Sequence, residues 1–581
     1  MSRHESKAGG TFSLVLHTHL PFVLNHGRWP HGADWLNEAV TESYIPLLDA
    51  AQRLVREGVS PKWTVGISPV LAEQLADPAF QRELRFFLEE RFRACRENRK
   101  EFLRHHQDAL ARLADFWEER LTRVQDFLHR LGGDLLGAFR TLEAEGHLEL
   151  LTCAATHGYL PLLSREESLR LQLQTAVEAH RRHFGREPRG IWLPECAYRP
   201  RAEWVAPLGS ASKRPPRIRP GLEELLSEVG LEYFVTDTHM IVGGRPLAVY
   251  RTQFLPPRER PAAPSVPMAV GPRNPYHPYR VVSEGGRGSA IVFARDPRTT
   301  LQVWSRDFGY PGDPWYLEFH KKHWPGGLRY WRVSENRGDL GAKEIYDPKV
   351  AAGRVGEHAA HFLGLLDDTL RAAVRAPEAP ALVCAPYDAE LFGHWWYEGP
   401  AWLEEVDRLM ARSLIRPRTL GESLAVHQPQ ESVSLKEGSW GDGGDHRVWL
   451  NPETEWVWER IYDAESSFFD LVATLPPEGG DPLIPRLLAQ AGRELLLLQA
   501  SDWPFLITTR SARDYAERRV REHHAVLKQL LEMIQRVTAT GRHSSEDEVV
   551  LGEIEQTDNL FPNLSVARAQ REGDKGSGAP S

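Results

Sequence analysis

The chain has 581 residues, 41% hydrophobic and 26% charged, enough apolar material for roughly two to four domains with large cores. A net charge of −9 offers no basic excess for nucleic acid, and the longest leucine run, Leu495 to Leu498, is far too short to cross a bilayer. Four cysteines without a CxxC spacing make no disulfide framework, and the start Met1 to Gly10 is polar, so reduced thiols in a cytoplasmic protein are expected, with the oligomeric state open.

In chain order, Phe12 to Leu16 reads as a buried strand running into His17-Thr18-His19-Leu20-Pro21, and Lys62 to Ile67 as a second strand. From about Asp77 to Leu142 the pattern is long, charged and helical, which predicts an insert rather than barrel elements. Leu148 to Cys153 is a strand and about Ser164 to Phe184 a helix. Gly190 to Leu193 is a strand leading to Glu195, Gly221 to Val229 a helix and Tyr233 to Thr236 a strand. Residues 251–280 hold many Pro and Arg with little periodicity and read as one long loop, a lid or binding loop. Ala290 to Ala294 is a strand, Glu357 to Val374 a helix, and Ala381 to Ala385 a strand leading to Asp388. After about Pro429 strands give way to helices, above all Asp481 to Ala500 and Ala512 to Thr538. Strands alternating with helices predict a parallel α/β barrel, with chemistry on the loops after the strands. His17, His19, His157, Glu195 and Asp388 all fall there.

Glu195 is a lone carboxylate flanked by Trp192, Pro194 and Tyr198, a rigid and partly dry setting. Cleaving a glycosidic bond needs two carboxyl groups in different protonation states. The second is Asp388, within Tyr387-Asp388-Ala389-Glu390-Leu391-Phe392-Gly393-His394-Trp395-Trp396-Tyr397-Glu398-Gly399. Glu390 is a rival in the same stretch, and either acid has a plainer reading as a helix cap or salt-bridge partner. The His17-x-His19 pair invites a metal, which would also need acidic ligands close by; no metal or other cofactor is expected. His17 is expected to hold sugar hydroxyls and His19 to pack. Eighteen tryptophans are many, and those flanked by Asp, His and Gly suit stacking on sugar rings.

Five segments together carry a resemblance: His17 to Pro21, Thr156-His157-Gly158-Tyr159, Trp192 to Tyr198, Tyr387 to Gly399, and Ala500-Ser501-Asp502-Trp503-Pro504-Phe505. Over roughly Phe12 to Phe561 the chain resembles glycoside hydrolase family 57, and within it the 1,4-α-glucan branching enzymes. The resemblance implies an incomplete (β/α)7 barrel (residues 1–76 and 146–427), a helical insert (77–145) and an α-helical C-terminal domain (428–565); the Gly/Ser/Pro-rich end is expected to be a disordered tail (566–581). It implies Glu195 as nucleophile and Asp388 as general acid/base, with Arg295, Gly312, Trp440, Asp502, His17 and Trp304 lining the glucan site. Tyr250 resembles the loop tyrosine that favours transfer over hydrolysis. The partner implied is an α-1,4-glucan such as amylose or glycogen. The chain departs from its relatives in a longer, proline-richer loop, and in Arg510 where they often carry glycine. An α-amylase or 4-α-glucanotransferase with the same two acids, a weakly catalytic glucan-binding protein and a metal-dependent polysaccharide deacetylase are the rival readings.

Overall fold

Seven parallel strands frame the protein in the computed structural model, which describes residues 10–209, 215–243, 273–305, 307–373, 380–476 and 481–566. They are β1 (Thr11–Thr18), β2 (Trp63–Ile67), β3 (Leu148–Cys153), β4 (Gly190–Trp192), β5 (Tyr233–Thr236), β6 (Ser289–Ala294) and β7 (Leu382–Asp388). Neighbours run β7-β1-β2-β3-β4-β5-β6, every pairing parallel. β1, β2 and β4 are buried along their whole length. Strands covered on both faces need no polar side, which is why they read as apolar runs.

The sheet almost closes. A single parallel bridge, Arg295 to Cys384, joins the end of β6 to β7, and the Asp296 N–H donates to the Cys384 carbonyl at 2.8 Å. Full closure is prevented by the strand Tyr279–Val282, which runs antiparallel along the free edge of β6 and pairs with Ser432–Val433. The architecture is the incomplete (β/α)7 barrel that was expected.

Local chemistry sets the helix limits. The helix Glu166–Phe184 opens with two acids, closes with Arg181, Arg182 and His183, and stops at Gly185 in the left-handed region. The charged stretch after Asp77 is three helices: α1 (Pro78–Arg104), α2 (Asp108–Arg130) and α3 (Leu135–Ala144). Asp77 caps α1 by accepting from the Ala79 N–H at 2.7 Å. α1 and α2 pack on each other, whereas α3 packs on β3 and returns the chain to the barrel. Near the C-terminus come α4 (Ile484–Leu498), α5 (Asp502–Thr509) and α6 (Arg513–Thr540).

Some expectations need correction. The end of the 251–280 loop is a strand, Tyr279–Val282, whose alternating buried and exposed residues are masked in sequence by Pro275 and Pro278 just before it. The hairpin Ala202–Trp204 with Arg217–Arg219 went unread, as did Ser432–Val433 inside a region read as helical; two or three residues show no period. The helix placed at Glu357 starts at Pro348. Tyr250, residues 251–272 and residues 567–581 lie outside the described residues. Among the described residues no helix is long and apolar enough to cross a membrane.

Candidate active site

The C-terminal ends of the strands gather the candidate residues. His17 near the end of β1 stands in register with Asp388, the last residue of β7. Glu195 follows β4 in a turn where Glu195 and Cys196 both adopt left-handed angles, φ 60° and 48°. Such angles are uncommon outside glycine and persist where the surroundings over-determine them.

The partners of Glu195 are not all those expected. Tyr198 stacks on Phe234 and donates its hydroxyl to Glu223 at 2.6 Å. Instead the Trp440 indole Nε1–H donates to Glu195 Oε2 at 2.8 Å, and the Ser501 hydroxyl to Oε1 at 3.2 Å. The Trp440 backbone N–H also donates to the Glu195 carbonyl at 3.1 Å. Burial pushes the Glu195 carboxyl up to about 8; the Trp440 hydrogen bond opposes this, while the charges of Asp388 and Asp502 add to it. With 14% of its side chain exposed, Glu195 is nearly dry yet still reachable.

Three histidines pave the floor. His17 stacks on Trp192 at 4.8 Å and its Nε2 meets His157 Nε2 at 3.2 Å. His19 stacks on His157 at 3.9 Å, bonding Ser68 through Nδ1 at 2.8 Å and Asp502 through Nε2 at 3.1 Å. His157 Nδ1 bonds the Ser501 hydroxyl at 2.7 Å. Burial holds His17 and His157 well below the ordinary imidazole range, so both are neutral. His17, expected to hold sugar hydroxyls, is 3% exposed, and His19, expected to pack, is the more open of the two. His19, His157 and Asp502, and likewise His17, Cys153 and His157, bring possible metal-ligand atoms together.

Arg295 is buried, ion-paired with Asp237, and its guanidinium lies 5.5 Å from the centre of the Trp440 ring. Burial would raise Asp237; the Arg295 charge, the His239 hydrogen bond and charge, and the Thr238 N–H together outweigh it and hold the acid low. Asp388 is half-buried, whereas Glu390 is buried and its Oε1 accepts from the Tyr44 hydroxyl and, at 3.2 Å, from the His19 N–H. Trp304 ends the helix Pro297–Trp304 and meets Trp395 edge-on at 6.0 Å. Gly312 closes the turn Tyr310–Gly312 packed on that helix, and Tyr310 lies against Trp396 and Trp402. One cluster thus joins Glu195, Trp440, Arg295, Asp502 and His17 beside Asp388, and Trp304 and Gly312 belong to an adjoining aromatic layer. Ser501, Asp237, Ser68 and Tyr44 were missed; only Ser501 sat in a segment already singled out.

The glycosyl hydrolase family 57 profile matches residues 13–330, and the profile of the C-terminal part of 1,4-alpha-glucan branching enzyme matches residues 460–568. A 1,4-alpha-glucan branching enzyme of Thermococcus kodakarensis is 40% identical over 559 residues, 96% of this chain and 78% of that protein. The crystal structure of the branching enzyme from that archaeon, in complex with glucose, matches with a TM-score of 0.86 at 38% identity, covering 96% of each chain. An alpha-amylase from Thermotoga maritima matches with a TM-score of 0.75 at 27% identity, covering 96% of this chain and 99% of that one. On the profile match and the near-full-length likeness to the archaeal relative, the chain belongs to glycosyl hydrolase family 57.

Proposed function

We propose that this chain is a 1,4-α-glucan branching enzyme. It cleaves an α-1,4 bond of a glucan such as amylose or glycogen and moves the released chain to a 6-hydroxyl, forming an α-1,6 branch in cytoplasmic glycogen synthesis. One observation carries the reading. The segment matched by the branching-enzyme C-terminal profile includes Ser501 and Asp502, which bond Glu195 and His19. The part of the chain that is like branching enzymes therefore furnishes part of the site.

Glu195 attacks the anomeric carbon while Asp388 protonates the departing oxygen. A covalent glucosyl-enzyme forms, and Asp388, now a base, takes the proton of the incoming 6-hydroxyl. Two inversions retain configuration, a course that suits carboxyls about 5–5.5 Å apart. The chemistry needs Glu195 ionised and Asp388 protonated together. Trp440 and Ser501 donate to the Glu195 carboxylate and favour its ionised form, and a proton on Asp388 removes one of the charges that raise it. Trp304 and Trp440 offer rings to the glucan, Arg295, Gly312, Asp502 and His17 complete its site, and Tyr250, outside the described residues, disfavours water as acceptor.

The second reading is hydrolysis, supported by the likeness to the amylase across nearly the whole of both chains. Only the acceptor differs between the two. Amylose incubated with the protein and examined by proton NMR separates them: new α-1,6 anomeric signals support branching, and reducing ends alone overturn it. Glu195→Gln is expected to abolish turnover with folding intact.

A further inference from the structure

The helix after β1 is interrupted by a π-helical turn, Val40–Tyr44. Such turns are rare and recur at functional sites because they re-aim consecutive side chains. Here three consecutive residues reach the loop that follows β7. Glu42 Oε2 bonds His394 Nδ1 at 2.7 Å, and its carbonyl lies where a Cβ on Gly393 would stand, 1.8 Å away. The Ser43 hydroxyl accepts from the His394 N–H at 3.0 Å and donates to the Glu390 carbonyl at 3.4 Å. The Tyr44 hydroxyl donates to Glu390 Oε1. The same oxygen takes the His19 N–H from the end of β1, so one buried carboxyl ties three elements together two residues from Asp388.

A buried carboxyl is costly to keep, and an amide in its place would put an NH2 donor where the second carboxyl oxygen stands and offer the two donors a weaker acceptor. We infer that Glu390, clamped by Tyr44 of the π-turn, is the residue that positions Asp388 for proton transfer. This rests on the reading of Asp388 as the acid/base. Glu390 does not touch the glucan; it acts through Asp388. The charged and titratable side chains that act on it are Asp388 on its own turn and Tyr44 on the π-turn, while His19 reaches it through its backbone N–H. Glu42 is already held by Arg329 at 3.0 Å and by His394. Burial, then the Asp388 charge, pushes the Glu390 carboxyl up to about 8.

The test is Glu390→Gln and Tyr44→Phe, singly and together, assayed on amylose across pH, with circular dichroism to establish folding. A staple that merely packs would move neither the pH profile nor kcat selectively. Expected is a fall in kcat of about tenfold or more with KM within about twofold, since orientation and not glucan binding is lost. In Glu390→Gln the alkaline limb of kcat/KM, which reports the proton on Asp388, moves to lower pH because a negative neighbour is gone. The double variant is no worse than the poorer single, as befits one linked unit. Glu390→Asp, too short to reach Tyr44, does not restore kcat. Parental kcat and limb in Glu390→Gln, or single effects that multiply, overturn the inference. If Glu390→Gln does not fold, Tyr44→Phe, which keeps ring and carboxyl, carries the test through its kcat-to-KM split. Asp388→Asn run alongside separates the two ideas: an active Asp388→Asn sinks the acid/base assignment, whereas an inactive one beside an unaltered Glu390→Gln sinks only the role of Glu390.

Discussion

Trp440→Phe keeps an aromatic ring beside Glu195 and deletes one donor, the indole N–H held 2.8 Å from Oε2. A hydrogen bond to a charged group contributes about 1.5–3 kcal/mol. At about 1.36 kcal/mol per pKa unit, its loss raises the acid by roughly one to two units. Ser501 still donates to the other oxygen at 3.2 Å, so the lower figure applies. The carboxyl then moves from about 8 towards still higher pH. Because the nucleophile must be ionised, the acidic limb of kcat/KM climbs by about one unit, and well below that limb the rate constant falls about tenfold. Initial rates on amylose from mildly acid to alkaline pH give the limb directly. The limb is the readout because altered stacking of the sugar on phenylalanine changes rates at every pH without moving it. An acidic limb left where the parent has it, at whatever overall rate, would show that the indole does not stabilise the carboxylate.

Ser501→Ala should shift the same limb in the same direction by less than a unit, its hydroxyl standing farther from the carboxylate, at 3.2 Å, than the indole N–H. Arg510, at φ 58° just past α5, occupies the left-handed position where glycine is at ease. Arg510→Gly is expected to stabilise by about 1 kcal/mol, seen as a higher melting temperature, since its exposed pair with Glu453 adds little; a lower melting temperature would refute this. Gly393→Ala would set a Cβ 1.8 Å from the Glu42 carbonyl at φ +116°, and should destabilise by about 3 kcal/mol or more in urea unfolding with kcat lost first. Asp558 lies buried between His26 and His523; against its burial, the His26 hydrogen bond and the His523 charge hold it down to about 2. Its folded value lies below its unfolded one, so its stabilisation is present above pH ~4 and is lost as pH falls towards 2. Asp558→Asn should therefore cost most at neutral pH, with the gap to the parent narrowing in acid; a gap that widens in acid would overturn this.

The barrel strands were legible because strands buried on both faces become apolar runs whatever their neighbours, as in Phe12 to Leu16 and Tyr233 to Thr236. Glu195 and Asp388 were legible as acids placed where such runs end. Strand Tyr279–Val282 was hidden because the prolines before it made one irregular stretch of loop and strand. What holds Glu195 was beyond reach for a different reason. Trp440 and Ser501 lie 245 and 306 positions further along the chain, and no local period spans such gaps. The setting of Glu390 is likewise tertiary: its Oε1 is held by Tyr44 and His19, 346 and 371 positions earlier in the chain. Local sequence determined which residues end strands and can carry charge. The closing of the sheet, which brings those ends together and dries them, decided which charges they hold.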